Sequence, residues 1–208
     1  MDIIKKLAQE LAIKEEQAKA AVQLIDEGNT IPFIARYRKE MTGALNDETL
    51  RNLHERLLYL RNLEEKKEQV INAITDQGKM TEDLKKKILS AETLVAVDDL
   101  YRPYRPKKQT RATKAKEKGL EPLANILLLQ KTTKSMEEEA AAFVNAEKGV
   151  ANAKEAIAGA KDIIAEMIAD MADYRKSIRN CTMKQGSLVV KAKDEKAASV
   201  YEMYYQYE

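Results

Sequence analysis

Tryptophan is absent from the 208 residues, and phenylalanine occurs only at Phe33 and Phe143. The core must therefore be mostly aliphatic, with nine tyrosines as the aromatic supply. Cysteine is confined to Cys181, which excludes an intrachain disulfide and fits a reducing compartment. Histidine is confined to His54, so no His/Cys metal site can be assembled. Ser–His or Cys–His catalysis would depend on His54 alone, which falls inside a periodic helical segment, and no G-x-S-x-G elbow occurs. Gly78-Lys79-Met80-Thr81 faintly resembles the end of a phosphate loop, but position 73 is Ala and the preceding segment reads as helix. The acidic runs Asp98-Asp99 and Glu137-Glu138-Glu139 read as solvated faces or caps rather than acid/base pairs or magnesium ligands. No apolar run reaches the roughly 18 residues of a membrane span. The start, Met1-Asp2-Ile3-Ile4-Lys5-Lys6, lacks signal-peptide features, so the expected location is the cytoplasm. Neither an enzyme nor a metal or cofactor site is expected.

What remains is helix-forming. Glycine and proline number only seven and four, so few positions break a helix. Ala, Leu, Ile, Glu and Lys dominate, and these lose little rotamer freedom in a helix. The pattern predicts an all-α fold, a multi-helix array with a helix-turn-helix-like start and long central helices. At most it holds a minor β element near 187–191. Ile3, Ile4, Leu7 and Leu11 share one helical face. A second helix is expected over about 14–27, with Ala18, Ala21, Val22 and Ile25 inward. Such a pair is more often a plain helical hairpin than a DNA reader. Thr30-Ile31-Pro32 opens a third helix with a capping hydroxyl and an early proline.

Asn46-Asp47-Glu48 opens the longest periodic segment, which runs to about Gln77. Leu50, Leu53, Leu57, Leu60, Ile71 and Ile74 follow three- and four-residue steps, with Glu64 and Lys67 at the middle positions. That polar interruption predicts packing of the two ends against different neighbours. Thr81 caps a further helix, and helix signals resume near Thr113 and at Glu121-Pro122. Residues 136–184 are alanine-rich and nearly free of breakers, with Gly149 and Gly159 as the only interruptions and Asp173 as a candidate start for a new helix. Two parts are expected: 1–78, with the helix-turn-helix-like start and the long helix, and 79–208, carrying a basic stretch.

That stretch concentrates the charge. Residues 101–118 hold eight cations against Glu117 alone, a local excess of +7, which leaves −5 for the rest of a chain whose net charge is +2. Tyr101-Arg102-Pro103-Tyr104-Arg105-Pro106-Lys107-Lys108 alternates aromatic and cationic side chains, and its prolines suggest an extended arm. Arg and Lys neutralise phosphates, and Tyr stacks on unpaired bases. The same residues equally suit a loop tied down by Arg–Tyr stacking and by pairing with Asp98 and Asp99.

Ile31-Pro32-Phe33-Ile34-Ala35-Arg36-Tyr37-Arg38-Lys39-Glu40-Met41-Thr42-Gly43 resembles the signature near the N-terminus of the bacterial Tex family of RNA-binding transcription accessory proteins. So does Asp99-Leu100-Tyr101-Arg102-Pro103-Tyr104-Arg105-Pro106-Lys107-Lys108, with its continuation through Thr110-Arg111-Ala112-Thr113 to Lys118-Gly119-Leu120-Glu121-Pro122-Leu123-Ala124. Ala158-Gly159-Ala160-Lys161-Asp162-Ile163-Ile164-Ala165-Glu166 is a third match. The resemblance implies a helical N-terminal region, followed in such proteins by RNase H-like, helix-hairpin-helix and OB-fold domains. The last supplies most of the nucleic-acid binding, so this chain is expected to be a truncated piece lacking it.

Two readings follow. In the first, the chain is a non-catalytic helical region lending a basic surface to a path for RNA or DNA, which binds mainly through domains absent here. Its candidate residues are Arg36, Arg38, Lys39, Arg102, Tyr104, Arg105, Lys107, Lys108, Arg111 and Lys114. In the second, it is a protein-interaction scaffold docking downstream domains or the transcription machinery. Exposed, same-sign guanidinium groups would favour the first, and buried ion pairs the second. No membrane partner is expected.

Overall fold

The computed structural model describes residues 2–106, 108–194 and 199–205. The chain is all-α, as expected: the described residues form twelve α-helices and two short 3-10 turns, with no sheet. A lone bridge joins Asn145 and Val150. Residues 187–191 form no strand, because a single apolar run without a partner strand cannot hold one. The chain divides into two compact units, Met1–Tyr101 and Arg102–Glu208.

The first unit contains α1 (Ile3–Glu10), α2 (Glu15–Asp26), α3 (Ile31–Tyr37), α4 (Lys39–Thr42), α5 (Asp47–Asp76), α6 (Glu82–Ser90) and α7 (Leu94–Tyr101). Four starts are fixed by side-chain caps: Asp2, Asn46, Thr81 and Thr93 accept from the N–H groups of Lys5, Thr49, Leu84 and Ala96. The Thr30 hydroxyl, expected to cap α3, makes no such bond, and the early proline marks that start instead. Helix α5, 30 residues long, spans about 45 Å. Its first half buries Leu50, Leu53, Leu57 and Leu60 with Leu7, Ala18, Leu24 and Ile34.

The second half of α5 faces α6 and α7, so its two ends do have different neighbours. The buried stripe there is Leu63, Lys67, Val70 and Ile74, displaced from the Glu64 and Ile71 positions that the spacing suggested. The Lys67 side chain is 3% exposed and its Nζ lies 2.8 Å from Glu64. It also donates to the Leu89 carbonyl at 3.0 Å, in the last turn of α6 where carbonyls lack helical partners. The Tyr59 hydroxyl accepts from the N–H of Leu94, the first residue of α7. One long helix thus satisfies orphan groups of two neighbours.

The second unit contains α8 (Arg111–Glu117), α9 (Glu121–Leu129), α10 (Met136–Ala141), α11 (Ala153–Asp170) and α12 (Ala172–Gln185). The alanine-rich run is broken between Ala141 and Ala153 and again at Met171. Helix α11 is the hub, packed by α8, α9 and α10. Ala112, Ala115, Leu120, Leu123, Ala156 and Ala160 share its core. Small side chains let α8 approach α11 closely. Gly159 marks the tightest point: a Cβ there would lie 2.4 Å from Leu120 Cδ1 and 3.3 Å from Ala115 Cβ.

Candidate nucleic-acid interface

The basic stretch does not begin as an extended arm. Arg102–Tyr104 forms a 3-10 turn directly after α7. Proline tolerates such a turn, since its fixed φ is near helical and it needs no N–H partner in a first turn. Thr110 then caps α8, accepting from the Thr113 N–H at 3.0 Å and donating to Glu166 at 3.0 Å.

Arg102 is committed to structure. Its Nε donates to Asp170 at 2.8 Å, with side-chain exposures of 48% for Arg102 and 12% for Asp170. Asp170 is the last residue of α11, where a carboxylate opposes the helix dipole and needs a cation. Tyr104 is half-buried, whereas Arg105 and Lys108 are exposed. Lys107 lies outside the described residues.

Arg111, Lys114 and Lys118 recur at three- and four-residue steps along α8 and the turn after it, so they share one face. Buried Ala112 and Ala115 flank this row on the side turned to the core. The cationic face borders an open cleft of about 240 Å³, lined also by Glu155, Gly159 and Asp162. The Arg111 side chain is 87% exposed and reaches Asp162 only at 3.4 Å, an ion pair of little strength in water. Lys118 donates to the Gly149 carbonyl at 2.8 Å, which fixes its ammonium at one end of the cleft. Lys116 points elsewhere, to Glu121 at 3.3 Å. Lys114 and Lys116, in the last turn of α8, also suit the C-terminal end of its dipole.

The remaining candidates lie in the first unit. Arg36 and Lys39 are exposed. Arg38 is half-buried, with its guanidinium 5.2 Å from the centre of the Phe33 ring. The ten candidates therefore belong to two separate groups, one per unit. Sequence reasoning passed over Lys118 as a site residue, although its position four after Lys114 was a legible signal. Tyr37, which is not among the ten candidates, is 61% exposed. Among the described residues no group of three or more His, Cys, Asp or Glu could hold a metal ion. No described helix is long and apolar enough to cross a membrane.

Comparison with known proteins gives two family matches. Residues 1–75 match the Tex-like protein N-terminal domain, and residues 131–208 match the Tex central region-like model. The chain is 43% identical over 205 residues to the uncharacterized protein YdcI of Bacillus subtilis, covering 97% of this chain and 28% of that protein. It is 42% identical over 180 residues to the transcriptional accessory protein Tex of Neisseria gonorrhoeae, covering 86% and 23%. Human S1 RNA-binding domain-containing protein 1 is 32% identical over 186 residues, covering 88% and 18%. The chain thus spans roughly a quarter of the length of its bacterial relatives. With its helical N-terminal match, its central-region match and these relatives together, the chain belongs to the Tex family.

Proposed function

We propose that this chain is a non-catalytic part of a cytoplasmic transcription accessory protein, lending a cationic surface to a nucleic-acid path. The observation that carries the reading is the row Arg111, Lys114 and Lys118 on one face over an open cleft. The names of two relatives, a transcriptional accessory protein and an S1 RNA-binding domain protein, support the same partner class. The row would act by electrostatic positioning on phosphates, which carries no base information. Asp162 and Glu155 line the same cleft and temper its potential.

Two variants of opposite sign test the proposal in a binding titration with single-stranded RNA at fixed salt. Replacing Arg111, Lys114 and Lys118 together by Ala should weaken binding by about tenfold or more. D162N removes the carboxylate facing Arg111 and should tighten binding about two- to fivefold. If neither variant moves the affinity, this surface is not the binding surface.

A further inference from the structure

The motif 31–43 contains two kinds of residue, and only one kind is needed for folding. Ile34 and Thr42 are fully buried. The Thr42 hydroxyl donates within its own turn, to the Arg38 carbonyl at 3.3 Å. Gln17 of α2 donates to the carbonyls of Thr42 at 3.2 Å and Gly43 at 2.9 Å. Gly43 adopts a φ of +61° and a Cβ there would lie 2.7 Å from the Gln17 amide nitrogen. These residues lock α3 and α4 onto α2.

The other residues face outward. Tyr37 is 61% and Met41 48% exposed, and Arg36 and Lys39 are exposed beside them. Phe33 and Tyr37 lie with ring centroids 5.3 Å apart at an interplanar angle of 46°. Arg38 packs over Phe33, and its Nη1 donates to the Tyr37 carbonyl at 3.2 Å. Phe33 is thus covered by Arg38, while most of Tyr37 meets solvent. Residues 36–41 hold three cations against Glu40 alone. Isolated exposed apolar residues are ordinary on any surface. An aromatic pair on a locked helix–turn with exposed cations close by in the chain matches the two requirements of a single strand: a π-face for a base and positive charge for the flanking phosphates. A duplex offers no free base face to such a platform.

We propose that the α3–α4 surface is a single-strand binding platform, on which an unpaired base stacks against Tyr37 while Arg36 and Lys39 take the flanking phosphates. The proposal rests on the nucleic-acid reading above but uses a separate surface, on the other unit.

The absence of tryptophan supplies a clean assay. Y37W places the only indole of the 208-residue chain at the stacking position. Titration with oligo(U) or oligo(dT) of about 15 nucleotides should quench its fluorescence, and a duplex of the same length should do so far less. Y37A should weaken single-strand binding roughly 5- to 100-fold, and Y37F should keep it. Tyr37 is mostly exposed, so circular dichroism should show all three variants folded as the parent. No quenching, together with parent-like affinity in Y37A, overturns the platform. If the α8 triple variant still loses affinity in that case, only the stacking site falls. If the parent chain binds no oligonucleotide, both readings fall.

Discussion

Gly159 is the position where packing and local propensity make opposite demands. It lies in the interior of α11, where Ala is favoured over Gly by about 1 kcal/mol. On propensity alone G159A should stabilise the protein. The added methyl, however, would lie 2.4 Å from Leu120 Cδ1, far inside van der Waals contact, and 3.3 Å from Ala115 Cβ. Leu120 is 2% exposed and, with Ala115, belongs to the core, so its methyl can move only by repacking its neighbours. Overpacking of this kind costs about 1–3 kcal/mol and moves backbone. The clash should therefore outweigh the propensity gain, leaving a net loss of up to about 2 kcal/mol. Urea unfolding followed by circular dichroism measures the change. Hydrogen exchange should place the loosened amides in α8, α9 and α11 and spare α5. A more stable G159A would refute the close seating of α8 and Leu120 on α11, and with it the geometry of the cleft beneath the cationic row.

Lys67 gives a second test, in the other unit. K67A removes the partner of the Leu89 carbonyl and opens a cavity, and should cost about 2–3 kcal/mol. K67M keeps the volume and should cost about 1–2 kcal/mol, so a K67M as stable as the parent in thermal melts would show that the hydrogen bonds contribute nothing. Glu10 gives a pH signature. Its bond with Arg56 holds the carboxyl below its ordinary value of 4.5, against a smaller opposing effect of burial. The pair's stabilisation is therefore present above pH 4.5 and is lost as pH falls through the lower folded value. E10Q should show a shallower loss of stability between neutral pH and about pH 3, and an acid profile identical to the parent's would contradict the pairing.

Local chemistry was legible in the sequence and distant chemistry was not. Asn46 and Thr81 were readable as caps because the bond spans three residues. Leu50 to Leu60 were readable as a seam because period and polarity agree. Beyond Leu60 the polar Glu64 and Lys67 obscured the phase, and a lysine inside the stripe is held partly by Glu64 three residues back and partly by a carbonyl 22 positions away. The basic stretch failed in the same manner. Its composition pointed to cations in solvent, which holds for Arg111, whereas Arg102 is claimed by Asp170, 68 residues on. The prolines suggested an arm, but Pro103 sits in a 3-10 turn, and only Pro106 lies in irregular chain. Tyr37 was undervalued because an aromatic in a short apolar helix reads as core until burial is known.

The central claim is that the α8 face meets phosphates, and its most direct test is the salt dependence of binding. The affinity of the chain for single-stranded RNA should be measured across a range of salt concentrations beside the R111A/K114A/K118A variant. Each phosphate contact on a single strand contributes about 0.7 to the slope of log K against log salt, so loss of three should flatten it by about 2. A slope unchanged in the variant would contradict the account, whatever happened to the affinity itself.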